Sequence, residues 1–215
     1  MRPDIAKIKE ESLTKAYTDA LSEMTDHDII KMLSELNYLK KQLRSQSDVI
    51  ARLKQEAHHD PLTQLPNRRL FDRELDKALA YFNRYRRSGS VLIVDANSFK
   101  AINDSLGHLA GDAVLKHIAE LLKKHTRSAD TVARIGGDEF AIIMRESGSK
   151  KALEKAKKLA EIIASTPCTY EGREIYTSVS IGGCSFAGAT TKNDLMQKAD
   201  SAMYHSKNNE HVAVA

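Results

Sequence analysis

Val132-Ala133-Arg134-Ile135-Gly136-Gly137-Asp138-Glu139-Phe140-Ala141-Ile142-Ile143-Met144 is the stretch on which the rest of the chain turns. Two apolar runs, Val132 to Ile135 and Phe140 to Met144, flank a pair of glycines and a pair of carboxylates. Short β-branched runs separated by Gly-Gly predict a β-hairpin. Glycine at the turn also lets something larger than water come close to the backbone. Asp138 and Glu139 then project from the tip, and loop carboxylates serve a ligand more often than a core. Two acids alone fit a solvated tip equally well, so the reading depends on what else the chain brings to them.

Upstream, Ser90-Val91-Leu92-Ile93-Val94-Asp95 is a continuous apolar run after a turn, the pattern of a strand buried on both faces. Asp95 stands where that strand emerges. A strand-end carboxylate and a neighbouring acidic hairpin can converge, and clustered carboxylates repel unless a cation neutralises them. Such hard oxygen ligands suit Mg²⁺, which takes one or two carboxylates and completes its shell with water and substrate phosphates. Two such ions can clamp the attacking and leaving oxygens of a displacement at phosphorus. These residues predict metal-assisted nucleotidyl transfer. The chain holds no Gly-x-x-x-x-Gly-Lys-[Ser/Thr] run, which excludes a P-loop phosphate cradle.

The remaining elements follow from periodicity. Ile5, Ile8, Leu13, Tyr17, Leu21 and Met24 have a helical rhythm, and Thr25 or Asp26 is placed to cap a second helix. From there Ile29, Met32, Leu36, Leu39, Leu43, Gln46, Ile50, Leu53 and Ala57 alternate steps of three and four, an a/d seam. That seam predicts an intermolecular coiled coil; one amphipathic helix on its own domain, or a hairpin with residues 5–24, would show the same spacing. His58-His59-Asp60-Pro61 ends the helix, because the residue before proline avoids the helical conformation. Asn67 is placed to cap a helix carrying Leu70, Phe71, Leu75, Leu79 and Phe82. Phe99 to His108 reads as a short helix and a glycine turn, Gly111-Asp112 as the opening of a long helix, and Lys150 to Ser165 as another. A β-rich stretch from Glu174 to Phe186, a helix from Asp194 to Lys207 and a terminal strand over His211 to Ala215 complete the order. The expected fold is an α/β sandwich with helices covering a mixed sheet. The expected organisation is a helical segment over 1–57 and a globular domain over 58–215.

Composition narrows the function classes. The chain has 215 residues and a net charge of +4, mildly basic. That suits an anionic small substrate and falls short of the concentrated Lys and Arg of a nucleic-acid footprint, so no nucleic-acid partner is expected. Cys168 and Cys184 lie too far apart for a metal or redox pair and read as free thiols. No apolar run approaches membrane-spanning length and none follows the first residues, so a cytoplasmic protein without a membrane partner is expected.

The run Gly136-Gly137-Asp138-Glu139-Phe140 resembles the signature of the GGDEF family, the diguanylate cyclases. Asp60-Pro61-Leu62-Thr63-Gln64-Leu65-Pro66-Asn67-Arg68-Arg69 is similar to that family's entry motif, with Gln64 where a glycine is usual. The resemblance covers about Asp60 to Lys207. It implies a polymerase-palm-like domain that condenses two GTP into cyclic di-GMP in a homodimer joined through the N-terminal helices. It also implies Mg²⁺, two ions per site, with Mn²⁺ as the alternative. Residue by residue, it assigns Asp95, the carbonyl of Ala96, Asp138 and Glu139 to the metal, with Asp138 and Glu139 catalytic. It assigns Asn103 and Asp112 to the guanine edge, which an amide and a carboxylate can read. His108 and Gly137 line the nucleotide site, and Phe99, Lys100 and Lys207 match phosphate positions. Arg127-x-x-Asp130 stands at the offset of the family's inhibitory product site, where an arginine can stack on guanine and fork onto phosphate. Two departures stand out. Asn97 replaces the second acid of the strand-end motif, and His211 takes the place of a phosphate-binding arginine. A silent domain that binds cyclic di-GMP or GTP and signals through the helices is the alternative these departures raise.

Overall fold

The computed structural model describes residues 25–189, 191–208 and 212–214. The helix expected before Met24, and His211, lie outside those residues. The chain divides into two compact units, one up to Lys54 and one from Gln55 onward.

The described residues open with one long helix, α1, Asp26–His58, 33 residues and about 50 Å at 1.5 Å per residue, whose last residues belong to the second unit. Thr25 caps it reciprocally. Its hydroxyl accepts the Asp28 N–H at 3.3 Å, and the Asp28 carboxylate accepts the Thr25 N–H at 3.1 Å. The seam residues Ile29, Met32, Leu36, Leu39, Leu43, Ile50 and Leu53 are 40–65% exposed, and Leu33 flanks the stripe.

A closed turn follows α1. Asp60 N–H donates to Leu65 O (2.8 Å) and Gln64 N–H to Asp60 O (2.9 Å). The Asp60 carboxylate accepts from the Thr63 N–H and hydroxyl. Gln64 is held at φ 58°, a left-handed conformation that glycine adopts at least cost. Asn67 then caps α2, Arg68–Tyr85, its Oδ1 accepting the Leu70 N–H at 3.1 Å, as expected.

Five strands form the main sheet: β1 (Gly89–Ala96), β2 (Thr131–Arg134), β3 (Glu139–Arg145), β6 (Val179–Ser185) and β7 (Val212–Val214). Their order is β2-β3-β1-β6-β7, and only the β6–β7 pair is parallel, so the sheet is mixed, as expected. β4 (Cys168–Tyr170) and β5 (Arg173–Ile175) make a separate hairpin. β1 lies at the centre and is buried along its whole length. Its alternate residues feed two cores. Leu92 and Val94 pack with Leu115, Ile118 and Leu122 of α4 (His108–Lys124) and Leu159 and Ile163 of α5 (Ser149–Ser165). Val91 and Ile93 pack with Phe71 and Leu75 of α2 and Ala199 and Met203 of α6 (Lys192–Asn208). A strand covered on both faces needs apolar residues at every position, which is why β1 shows no alternation.

α4 opens at His108, three residues before the expected Gly111. Gly107, at φ 85°, ends α3 (Phe99–Leu106), and its carbonyl receives the Ala110 and Gly111 N–H groups, so the next helix starts at once. Gly111 lies inside α4 for another reason: a Cβ there would stand 2.0 Å from the Asn103 Oδ1.

α6 rests backbone-to-backbone on β6. A Cβ on Gly182 would fall 1.9 Å from the Met203 nitrogen and 2.5 Å from the Ala199 carbonyl oxygen. No flexible side chain is there to move aside, so the whole helix would have to lift. Gly182→Ala should therefore cost about 3 kcal/mol or more by overpacking, read as a lowered denaturation midpoint in a urea titration.

Candidate active site

The sheet register builds the site. β1 and β3 pair antiparallel with Asp95 opposite Glu139, and β1 and β6 pair with Asp95 opposite Ser180. The Ala96 N–H donates to the Asp138 carbonyl at 3.1 Å, tying the end of β1 to the hairpin tip. The strand-end acid and the hairpin acids expected to converge are therefore brought together by backbone pairing.

The tip itself is a four-residue connection, Ile135 to Asp138, closed by the Ile135 and Gly136 N–H groups on the Glu139 carbonyl (2.9 and 3.3 Å). Neither glycine has positive φ. At Gly136 the Glu139 carboxylate folds back over the backbone, its Oε2 2.5 Å from where a Cβ would stand. Gly137 is exposed, with no heavy atom within 4 Å of a built Cβ. Its carbonyl is gripped from below by Arg134, whose Nε and Nη2 donate to it at 3.1 and 2.7 Å.

Electrostatically the site is starved of positive charge. Asp95 is only 7% exposed. Burial pushes its carboxyl above the ordinary carboxylate value, Asp138 and Asp200 push further, and Lys207 opposes them. The Lys207 Nζ lies 2.8 Å from Asp95 Oδ1. Glu139 is raised as well, by burial first and then by Asp95, Asp138 and Asp200, against a weaker pull from Arg68. Among the described residues no three carboxylate, imidazole or thiol groups are gathered closely enough to enclose an ion alone. The donors fit Mg²⁺ nonetheless, because that ion takes one or two carboxylates and leaves its other positions to water and phosphate. Mutual repulsion among Asp95, Asp138 and Glu139 is what a bound cation would relieve.

The nucleotide-side residues sit on the next elements of the chain. Asn97 is tied at both ends of its amide: Nδ2 donates to Ser178 Oγ (3.0 Å) and Oδ1 accepts from Ser180 Oγ (2.8 Å). The amide thus gives one donor to Ser178 and one acceptor to Ser180. Ser98 follows in a left-handed conformation (φ 55°) and no side chain caps α3. The first N–H groups of α3, at Phe99 and Lys100, are thus without a side-chain acceptor, the setting that favours anions. Asn103 on α3 lies against Gly111, and Asp112 follows directly on α4. His108, Lys100 and Gly137 are exposed.

Arg127 and Asp130 are not part of this cluster. Asp130 Oδ1 accepts the Arg145 N–H at 3.0 Å, and Arg145 pairs with Gly89 at the far end of β1 and β3. Six residues of strand, about 20 Å, separate that end from Glu139. A cleft of about 380 Å³ opens there, lined among others by Tyr81, Arg87, Arg127, Asp130 and Arg145.

Sequence reasoning missed Asp200, Arg68, Arg134 and Asp60. Asp200 carried a usable signal, since it stands two helical turns before Lys207 and so on the same face. The pairing of Arg134 with Asp60 carried none, the two being 74 residues apart.

The chain is similar to known proteins over most of its length. A family model described as "Diguanylate cyclase, GGDEF domain" matches residues 57–212. The diguanylate cyclase TpbB of Pseudomonas aeruginosa is 37% identical over 200 residues, covering 92% of this chain and 45% of that protein. The chain spans less than half the length of the curated relatives it matches. Among solved structures, the coiled coil and GGDEF domain of DgcB from Caulobacter crescentus, in complex with c-di-GMP, gives a TM-score of 0.80 at 24% identity. It covers 86% of this chain and 99% of that one, a likeness of fold. The GGDEF domain of the same protein, also with c-di-GMP, gives 0.70 at 28% identity, covering 74% and 93%.

The raised carboxyls have a consequence for stability. Glu139 holds its proton to higher pH when folded than when unfolded, so ionising it costs folding free energy. That cost is absent below the ordinary value of 4.5, grows as pH rises through the raised folded value, and is complete above it. Glu139→Gln should therefore raise the melting temperature at pH 8 in metal-free buffer, with the gain vanishing near pH 4. Thermal denaturation at both pH values checks this.

Proposed function

The chain belongs to the GGDEF family, and on that premise we propose that it condenses two GTP into cyclic di-GMP, releasing two pyrophosphates. The single observation that supports this best is the pairing of Asp95 with Glu139 and of Ala96 with Asp138, which gathers the family's metal-site residues at one strand end. Asp95, Asp138 and Glu139, with the Ala96 carbonyl, would hold Mg²⁺ or Mn²⁺, two ions per site. Such ions polarise the α-phosphate and favour ionisation of the attacking 3′-hydroxyl.

The chain's own residues supply the rest. Asn103 and Asp112 read the guanine edge, one offering an amide and the other accepting from N1–H and the exocyclic amine. The open first turn of α3 at Phe99 and Lys100 receives the terminal phosphates, and His108 and Gly137 border the nucleotide. Lys207 has two partners in turn. Here it pairs with Asp95 at 2.8 Å; with cations on the carboxylates, its ammonium would be free to meet the phosphates. GTP supplies the reaction in the cytoplasm, which is where we place the protein.

Each 3′-hydroxyl must attack the α-phosphate of the other nucleotide, so one domain holding one GTP cannot finish the reaction. Two domains must face each other, and the exposed seam of α1 from Ile29 to Leu53 is an apolar stripe suited to a parallel homodimer. Arg127 and Asp130, at the other end of the strands, form the product site, with Tyr81, Arg87 and Arg145 around the same cleft. Asp130 also receives the Arg145 N–H, so Arg127→Ala is the cleaner probe of inhibition.

One set of measurements tests the reading. Incubation with GTP and Mg²⁺, followed by chromatography, should show cyclic di-GMP from the unmodified chain. Asp138→Ala should lose about a hundredfold or more in rate with its melting curve intact. Arg127→Ala should keep the initial rate and lose the slowing that added cyclic di-GMP imposes. Polar residues at Leu36, Leu43 and Ile50 should give monomers by light scattering, with a rate per molecule that climbs steeply with concentration. Undiminished pyrophosphate release from folded Asp138→Ala defeats the proposal. Nucleotide binding without turnover by the unmodified chain would favour the silent signalling domain instead.

A further inference from the structure

β1 ends on two residues that are each tied to a different neighbour. The Ala96 N–H donates to the Asp138 carbonyl at 3.1 Å, and the Asn97 N–H to the Ser178 carbonyl at 2.9 Å. Asp138 belongs to the hairpin on one side of β1, and Ser178 leads into β6 on the other. Asn97 adds its side chain to that second tie: Nδ2 donates to Ser178 Oγ at 3.0 Å, and Oδ1 accepts from Ser180 Oγ at 2.8 Å. Ser180 is fully buried and stands opposite Asp95 in the register of β1 and β6. One residue thus holds three bonds to two residues at the entry to β6. A neutral amide gives the donor and the acceptor together. It also brings no further negative charge to a strand end where Asp95, Asp138 and Glu139 already crowd.

The chain beyond Asn97 has less to hold it. Ser98 takes a left-handed conformation, φ 55°, which is strained for a residue with a Cβ. α3 then begins with no side-chain cap, and none of its 8 residues is buried; Phe99 and Ile102 pack only partly against the core. The far end of α3 is fixed separately. There the Gly107 N–H donates to the Asn103 carbonyl at 2.9 Å, and the Asn103 side chain lies against Gly111 of α4. The helix is therefore held at its end by α4 and at its beginning by β6, through Asn97.

We propose that Asn97, pinned by Ser178 and Ser180, is the positioning residue for the turn that receives the terminal phosphates, so that β6 sets where the first N–H groups of α3 point. The inference rests on the reading of that turn as a phosphate site for its effect on nucleotide, but not for its effect on the turn itself. Backbone N–H groups at a helix start favour an anion when they converge on it. Fixing them before the ligand arrives removes an ordering cost from binding. The guanine end is independent of the tie, because Asn103 and Asp112 are carried where α3 meets α4. Asn97 thus acts on the phosphates and not on the base.

The test uses the full chain and three variants: Asn97→Ala, the paired Ser178→Ala/Ser180→Ala, and Asn97→Asp. The aspartate keeps the tie, since both serine hydroxyls can donate to a carboxylate. Asn97→Ala leaves the buried Ser180 hydroxyl without its acceptor; the serine variant removes both partners instead, and so gives the same reading should the alanine variant melt early. Amide hydrogen exchange by mass spectrometry, without nucleotide or metal, should speed about tenfold in the peptide spanning Asn97 to Asn103 for the alanine and serine variants. Exchange from Asp112 to Leu122 should stay unchanged. In calorimetric titrations with Mg²⁺, affinity for a non-hydrolysable GTP analogue should fall about tenfold in those two variants, while affinity for GMP stays within about threefold. Asn97→Asp should return both exchange and analogue affinity to within about threefold of the unmodified chain. Unchanged exchange at the turn, equal losses for the analogue and GMP, or an aspartate variant that behaves like the alanine one would overturn the proposal. If the unmodified chain binds neither nucleotide, the cyclase reading fails, and the exchange arm still decides what Asn97 does to the turn.

Discussion

A carboxylate that leaves a fully buried strand needs a positive partner, and at Asp95 that demand shapes the surrounding structure. Burial raises its proton affinity most, the neighbouring acids Asp138 and Asp200 add to it, and Lys207, 2.8 Å away, pulls against them. The lysine arrives on α6 and the carboxylate on β1, two elements that are not sequence neighbours. Their meeting depends on how closely α6 seats on β6, and that closeness depends on Gly182 having no Cβ. A site of this kind is costly to fold without its cation, which is the expected character of a binding site whose ligand carries part of the neutralising charge.

Much of the architecture was legible in the sequence because it is local. The capping of α2 by Asn67 and the buried run of β1 follow from a few adjacent residues each, and the structure realises both. The mixed sheet, with its parallel terminal strand, agrees as well. What local pattern missed was the reason behind particular residues. Gly136 and Gly137 read as turn glycines, yet neither has positive φ; Gly136 makes room for Glu139. Gly111 read as the start of a helix, yet it makes room for Asn103. Gln64 is not a glycine, yet its backbone is left-handed. Its own side chain offsets part of that strain by donating to Pro61 O at 2.9 Å.

The site was legible residue by residue but not as a mechanism of support. Ion pairs between residues far apart in sequence leave no periodic trace, and Asp60 with Arg134 is the example with most consequence. Asn97 shows the reverse case. Read alone it is a lost charge beside a metal site. Read with Ser178 and Ser180 it is an amide with both ends satisfied, one donating and one accepting.

The two ends of the central strands differ in chemistry because they differ in what flanks them. At the Asp95–Glu139 end the neighbours are acids from the hairpin and from α6; at the Gly89–Arg145 end they are Arg87, Arg127 and Arg145. Antiparallel pairing fixes both ends at once. A slip of one residue between β1 and β3 would turn every side chain to the other face. It would take Asp95 away from Lys207, and move Leu92 and Val94 from the core of α4 and α5 to that of α2 and α6. The apolar cost of that slip, two large side chains leaving matched pockets on each strand, is several kcal/mol by ordinary transfer energies. The register that packs the core is therefore the same register that holds the acids together, and the crowding of charge at the strand end is sustained by the burial of Leu92, Val94, Phe140 and Ile142 behind it.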